Sequence, residues 1–272
     1  MEKRIDIFGC SFSCDPMGNP WIGWPYYLNE YEPNIKNFNW AKSGIGNTEL
    51  KDNIITYIEE MEGRNGSTDL LLIQWSAFSR CYGTSFDEVI KHHGKQLEKY
   101  YLKDWEHSDG KRPGEIHLDN LSYEITKNNL ESILELQTYL QNKNIDYKMW
   151  FGWQQVYPEQ IEQFGLTELL NKIKEDKNLI LFKQNECYDY ELEEYGLLSK
   201  SHYALTLKKL FGLDKGNYFH PATEWGGMTE FIRMELEDGK YVSKNDMHPS
   251  TKAQKYFFEQ IIKNIIKEKF NI

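Results

Sequence analysis

The sequence predicts an α/β fold: one three-layer α/β/α domain, residues 1–272, built on a five-stranded parallel sheet with helices on both faces. Two observations predict it. Five short apolar runs have the length and residue types of strands, and the stretches between several of them carry helical periodicity. That alternation is how a parallel sheet covered on both faces is written in sequence. With 272 residues, 40% of them hydrophobic and 15% aromatic, the chain can bury a sizeable core. No repeat, low-complexity stretch or Pro/Gly/Ser linker divides it.

In chain order, the strands are expected at "RIDIF" (4–8), "IKNFNW" (35–40), "DLLLIQW" (69–75), "DYKMWF" (146–151) and "NLILF" (178–182). Leu50, Ile54, Ile58 and Met61 recur every three or four residues, as do Ile125, Ile133, Leu136 and Leu140 with one gap. These are the core-facing stripes of two helices. After "HPS", Ala253, Phe257, Ile261 and Ile265 line one face at spacing four, and Ser250 stands where an N-cap belongs. Two segments break the alternation, 80–118 and 184–245, the second carrying "FHPATEWGGMTEF". Excursions of this length in an α/β fold shape a site at the carboxyl ends of the strands.

Composition narrows the function. The net charge is −10 and no window is dominated by Lys and Arg, so the phosphate attraction behind most nucleic-acid affinity is missing. Nowhere do eighteen apolar residues run together, and the short apolar start is broken by Asp6. Neither a membrane span nor a signal peptide is expected, which points to a cytoplasmic protein, or a virion-associated one if phage-encoded. Cys10, Cys14, Cys81 and Cys187 are too few and scattered for a disulfide framework. Zinc would want a second Cys or His pair beside Cys10 and Cys14, and none exists; His92 and His93 read as solvent-facing.

The chemistry lies just past the first strand, in "GCSFSC". Ligands of doubly wound sheets bind outside the carboxyl ends of the strands, which is where Ser11 would sit. A serine there is a cap, or a nucleophile in need of a base. The base is best supplied by "NDMHPSTKAQ". His248 precedes Pro249 and a helix, and Asp246, two residues upstream, could accept from the other ring nitrogen. Cys10 reads as a small buried residue and Ser13 as a turn or cap. Cys14 with a histidine is the other nucleophile pairing. His220, in a second "HP", reads as a turn residue, and Arg80 as an ion-pair partner or a carboxylate binder. Trp75, Trp150 and Trp153 read as core aromatics unless the ligand is a sugar, whose apolar face stacks on such rings.

Together these segments resemble the SGNH hydrolase superfamily, also called the GDSL esterases and lipases. The family's Gly-Asp-Ser block is similar to "GCSFS", with Cys10 in place of Asp; its Asn-x-Gly-x-Ser-Gly block to "NWAKSG" (39–44); and its closing Asp/His-Pro block to "DMHP". The resemblance implies a flavodoxin-like sheet, Ser11 as nucleophile, His248 as general base and Asp246 as its orienter. It also implies an oxyanion held by the backbone N–H groups of Ser11 and Gly44. Two departures stand out. The third block, Gly-x-Asn-Asp, is replaced by "QWSAFSR", leaving Ser76 or Asn47 to supply the further oxyanion donor. The usual Asp-x-x-His spacing would place Asn245, not Asp246, at the acid position.

The expected activity is therefore that of a serine esterase acting on a small acyl ester, with O-acetylated carbohydrate the favoured substrate, and needing no metal or organic cofactor. A partner nucleic acid or membrane is not expected. "GCSF" and the Trp-Ser end of the third strand are also similar to a branch of the superfamily found in phage and bacterial proteins. A rival reading is an inactive SGNH-like domain with a glycan-binding or particle-structural role; a third is an acyltransferase using the same residues.

Overall fold

Strand β1 (Lys3–Phe8) is buried without a break from Ile5 to Phe8, Asp6 included, as a strand covered on both faces must be. The computed structural model describes residues 3–14, 22–64, 66–76, 78, 123–188, 219–220, 222–243 and 246–272. Within them, β1 is flanked by β2 (Ile35–Asn39) and β3 (Leu70–Trp75), and β4 (Tyr147–Phe151) and β5 (Leu179–Ile180) extend the sheet. The order is β2-β1-β3-β4-β5, parallel throughout. This is the five-stranded parallel sheet expected from the sequence, with its switch point between β1 and β3.

Alternation along the strands sorts the helices into two layers. Ile7 and Gln74 point to one face, where α1 (Trp24–Tyr31) and the C-terminal helix pack: Trp24 meets Trp150 edge-on, and Trp150 meets Phe257. Asp6 and Phe8 point to the other, where α2 (Asn47–Gly63) brings Tyr57 against both, and α3 (Tyr123–Asn142) packs beside α2. Leu50, Ile54 and Ile58 of α2, and Ile125, Ile133, Leu136 and Leu140 of α3, are buried as their periodicity predicts. After β4 come α4 (Pro158–Gln163) and α5 (Thr167–Lys174).

Two expectations are corrected. The run "NLILF" is not one strand: β5 holds only Leu179–Ile180, and Phe182 begins β6 (Phe182–Gln184), which leaves the main sheet to pair antiparallel with β9 (Thr223–Gly226). Between them β7 (Cys187–Tyr188) pairs with β8 (Phe219–His220). The C-terminal helix also changes register. Its first part, α7 (Thr251–Phe257), buries Ala253 and Phe257 as expected, but a π-helical stretch (Phe258–Ile262) intervenes before α8 (Lys263–Phe270). The i→i+5 bonding there takes up one extra residue. The fully buried positions become Ile262 and Ile266, while Ile261 and Ile265 are only half-buried.

Between β9 and the C-terminal helix lie α6 (Met228–Glu235) and a hairpin of β10 (Tyr241–Ser243) and β11 (Asp246–Pro249). Ser250 caps α7, its hydroxyl accepting from Ala253 N–H at 3.1 Å. Among the described residues no helix is long and apolar enough to cross a membrane.

Candidate active site

β1 ends in a tight turn. Ser13 and Cys14 N–H groups donate back to the Cys10 carbonyl at 2.9 and 3.2 Å. The turn presses so close to β3 that a Cβ on Gly9 would lie 2.9 Å from Ser13 Oγ and 3.1 Å from Gln74 Cβ. Buried polar groups hold it. The Ser13 hydroxyl donates to Gln74 Oε1 and accepts from the Trp24 indole at 3.1 Å, Asn39 Nδ2 donates to the Ser13 carbonyl at 2.8 Å, and Gln254 Nε2 donates to the Phe12 carbonyl at 3.1 Å. Ser13 is thus an anchor. Cys10 is buried with its thiol 3.8 Å from Gln74 Oε1.

The turn leaves Ser11 at its crest, 4% exposed. His248, on β11 and 237 positions away in sequence, brings Nε2 to 2.8 Å from Ser11 Oγ. That is within the reach proton transfer requires. If Nδ1 carries the ring proton, Nε2 is the acceptor. Phe12 meets the imidazole edge-on at 5.2 Å, and Trp153 lies against Phe12 at 5.0 Å. Trp153 is half-buried, whereas Trp75 and Trp150 are entirely core. Phe12 thus joins Trp153 to the imidazole.

The loop after β2 runs alongside. Trp40 N–H donates to the Ile7 carbonyl at 2.8 Å and Lys42 N–H to the Gly9 carbonyl at 3.0 Å, carrying the parallel ladder past the strand ends. Gly44 follows with φ +78, exposed, and with nothing within 4 Å of a would-be Cβ. Its backbone angle, not crowding by the protein, is what calls for glycine there.

Asn47 does something other than expected. Its Oδ1 accepts from Ser76 N–H at 2.7 Å, and its Nδ2 donates to the Ser76 carbonyl at 3.1 Å and to Asn129 Oδ1 at 2.9 Å. Both amide hydrogens are occupied in clasping the end of β3, which leaves none for an oxyanion. Ser76 is buried in that clasp. Asp246 lies on β11, paired through its backbone with Ser243, two residues before His248; its side chain lies outside the description. Asn245, Arg80, Cys81, His92, His93, the 80–118 excursion and residues 189–218 of the other excursion lie outside the described residues.

Four anchors escaped the sequence reading: Gln74, Gln254, Asn39 and Glu230. Gln74 carried a signal, since it is a polar residue inside the apolar run "LLLIQW". Such residues are buried only when hydrogen-bonded. Glu230, buried in α6, accepts from Gly227 N–H at 2.8 Å and Gln154 N–H at 2.7 Å and pairs with Arg233 at 3.3 Å. It thereby pins the loop that carries Trp153, helped by Thr229, whose N–H and hydroxyl both donate to the Gly152 carbonyl at 3.0 Å.

Class and context follow from this geometry: a hydroxyl and an imidazole in contact at the carboxyl edge of a doubly wound sheet. No protein-family model and no curated protein matches the chain. Among solved structures, it is similar to a proposed lipolytic protein of the G-D-S-L family from Desulfitobacterium hafniense, at 12% identity and TM-score 0.42 over 94% of this chain and 96% of that one. It is likewise similar to a proposed SGNH hydrolase from Slackia heliotrinireducens, at 10% identity and TM-score 0.42 over 97% and 100%. A third is the lipase Lip_vut3 from a goat rumen metagenome, at 14% identity and TM-score 0.33 over 96% of each chain. Overlaps at these scores carry no weight for function, which rests on the chain's own residues.

Proposed function

We propose that the protein is a serine hydrolase of the SGNH type that cleaves a small acyl ester. One observation carries the reading: Ser11 Oγ and His248 Nε2 in contact at 2.8 Å across 237 positions of sequence. In the proposed reaction His248 takes the Ser11 proton as Oγ bonds to the ester carbonyl carbon. The resulting oxyanion is held by the N–H groups of Ser11 and Gly44, each such donor being worth roughly 2.7–4 kcal/mol where one has been removed from an oxyanion hole. The intermediate collapses as His248 returns the proton to the leaving alcohol. Water, deprotonated by the same imidazole, then frees the acid and restores Ser11. Asp246 would orient the imidazole by accepting from Nδ1–H, and Ser76 is the remaining side-chain candidate for a further oxyanion donor. No metal or organic cofactor takes part.

The surroundings support one choice of substrate. Ser11 is nearly buried, and its chain neighbour Phe12 packs against His248 and Trp153, which favours a short acyl group. Aromatic rings at the site suit the apolar face of a sugar, so an acetyl ester on a carbohydrate is the substrate to screen first.

The test is hydrolysis of p-nitrophenyl acetate and covalent labelling by a fluorophosphonate, in wild type, Ser11→Ala and His248→Ala. Both variants should lose at least about a thousandfold in kcat/KM, and Ser11→Ala should lose the label. Wild-type rates in either variant would overturn the assignment.

A further inference from the structure

Gln254 is out of place by composition: an amide, fully buried, on the apolar face of α7 beside Ala253 and Phe257. Both ends of the amide are used. Nε2 donates to the Phe12 carbonyl at 3.1 Å, and Oε1 accepts from Trp24 N–H at 3.1 Å. Trp24 is the first residue of α1, so that N–H has no partner within its own helix. The Trp24 indole in turn donates to Ser13 Oγ at 3.1 Å. A closed ring results: Gln254 to Phe12, along the chain to Ser13, across to Trp24 and back to Gln254.

We infer that Gln254 is a positioning residue that sets the separation of Ser11 and His248; the inference rests on the serine-hydrolase reading of that pair. Two rigid pieces must be held in register. One is the nucleophile turn, with Ser11 next to Phe12. The other is the end of β11 with α7: His248 is followed by Pro249, whose ring fixes φ, and by Ser250, whose N–H donates to the Lys240 carbonyl at 3.0 Å while its own carbonyl accepts from Gln254 N–H at 2.8 Å. His248 and Gln254 therefore move together. The Gln254 amide joins that unit to the turn at the residue adjoining the nucleophile. A displacement of about 1 Å at a reacting pair can cost on the order of 100-fold in rate, so this one bond bears on the chemistry from outside the site.

The test uses Gln254→Met, which fills the space without hydrogen bonds, and Gln254→Glu, which keeps an acceptor for Trp24 N–H but has no proton for the Phe12 carbonyl when ionised. Three readouts are taken on the full chain: kcat and KM for p-nitrophenyl acetate, the fluorophosphonate labelling rate of Ser11, and the imidazole 15N shift of His248 Nε2. The Ser11→Ala protein supplies the reference shift for a lost contact. Positioning predicts that both variants lose about 10- to 100-fold in kcat and labelling with KM within twofold, and that the Nε2 shift moves toward the reference. A lowered melting temperature with wild-type kcat and shift would overturn it and leave Gln254 a merely structural residue. Should the wild type take no label, the hydrolase reading fails on its own, and the Nε2 shift still decides whether Gln254 holds the pair together.

Discussion

Ser11 and Gly44 illustrate two ways in which a single residue is fixed by its backbone. Ser11 is presented by a turn that its neighbours Phe12 and Ser13 tie to the rest of the fold, and its own hydroxyl meets His248. Gly44 is held at φ +78 with open space around it. Gly44→Ala should therefore cost about 1–2 kcal/mol from left-handed strain alone, read as a shift in urea midpoint. It should also lower kcat on p-nitrophenyl acetate, because the N–H proposed to meet the oxyanion is carried by that same strained unit. An unchanged midpoint would show that the loop relaxes freely. At this scale the contact of Ser11 with His248 was expected from two short local patterns, whereas the partners of Asn47 were not. The Asn47 amide is taken up by Ser76 and Asn129, and nothing local to "GIGNTEL" reports partners 29 and 82 positions away.

Elements carry the site through their ends. The capped start of α7 follows His248 and Pro249, so Ser250→Ala should remove a cap worth about 1 kcal/mol and loosen the helix to which His248 is attached. Hydrogen exchange in the first turn of α7 would report it. The loop after β4 depends on Glu230, whose carboxylate serves two backbone N–H groups and Arg233 in a buried setting. Removing one partner of such a pair leaves the other charge buried and uncompensated. Glu230→Ala is expected to cost about 3–5 kcal/mol in chemical denaturation, and Glu230→Gln less, since the amide oxygen can still accept. Equal losses in the two would show that the charge, not the acceptor, matters. Strand and helix positions were legible because burial repeats with period two or about 3.6. The π-helical stretch was not: a shift of the buried face from Ile261 to Ile262 depends on what the helix packs against, and either register is apolar in sequence.

For the molecule as a whole, tyrosines set a limit on the alkaline side. Burial, and after it the hydrogen bond to Asp6, pushes Tyr57 well above its ordinary value of 10.0. Burial and then the bond to Asp176 does the same for Tyr147. A group that holds its proton longer in the folded than in the unfolded chain gives stability that is full below the unfolded value and falls as pH rises past it. The urea midpoint should therefore hold steady up to about pH 10 and decline above it. In a Tyr57→Phe/Tyr147→Phe protein the neutral-pH midpoint should be lower but the alkaline decline shallower. A slope identical to wild type would remove these two tyrosines as its source. Asp6 itself shows why such groups are tolerated in the core: fully buried, it accepts from Arg4, Tyr57 and the Trp40 indole.

By itself the sequence determined the α/β class, four of the five sheet strands within a residue or two, the faces that α2 and α3 bury, the Ser250 cap, and that Ser11 and His248 meet. These are written in local periodicity, or in short blocks whose chain order is itself information. Only the tertiary structure decided that "NLILF" divides between two sheets, that the C-terminal helix turns its face by one residue, that Asn47 clasps β3, and that Gln74 and Gln254 hold the turn that carries Ser11. Each of these depends on which segments meet in space. The hydrogen bonds of a buried amide are satisfied by whatever the topology places beside it, however far away in the chain, and local spacing carries no record of that neighbour.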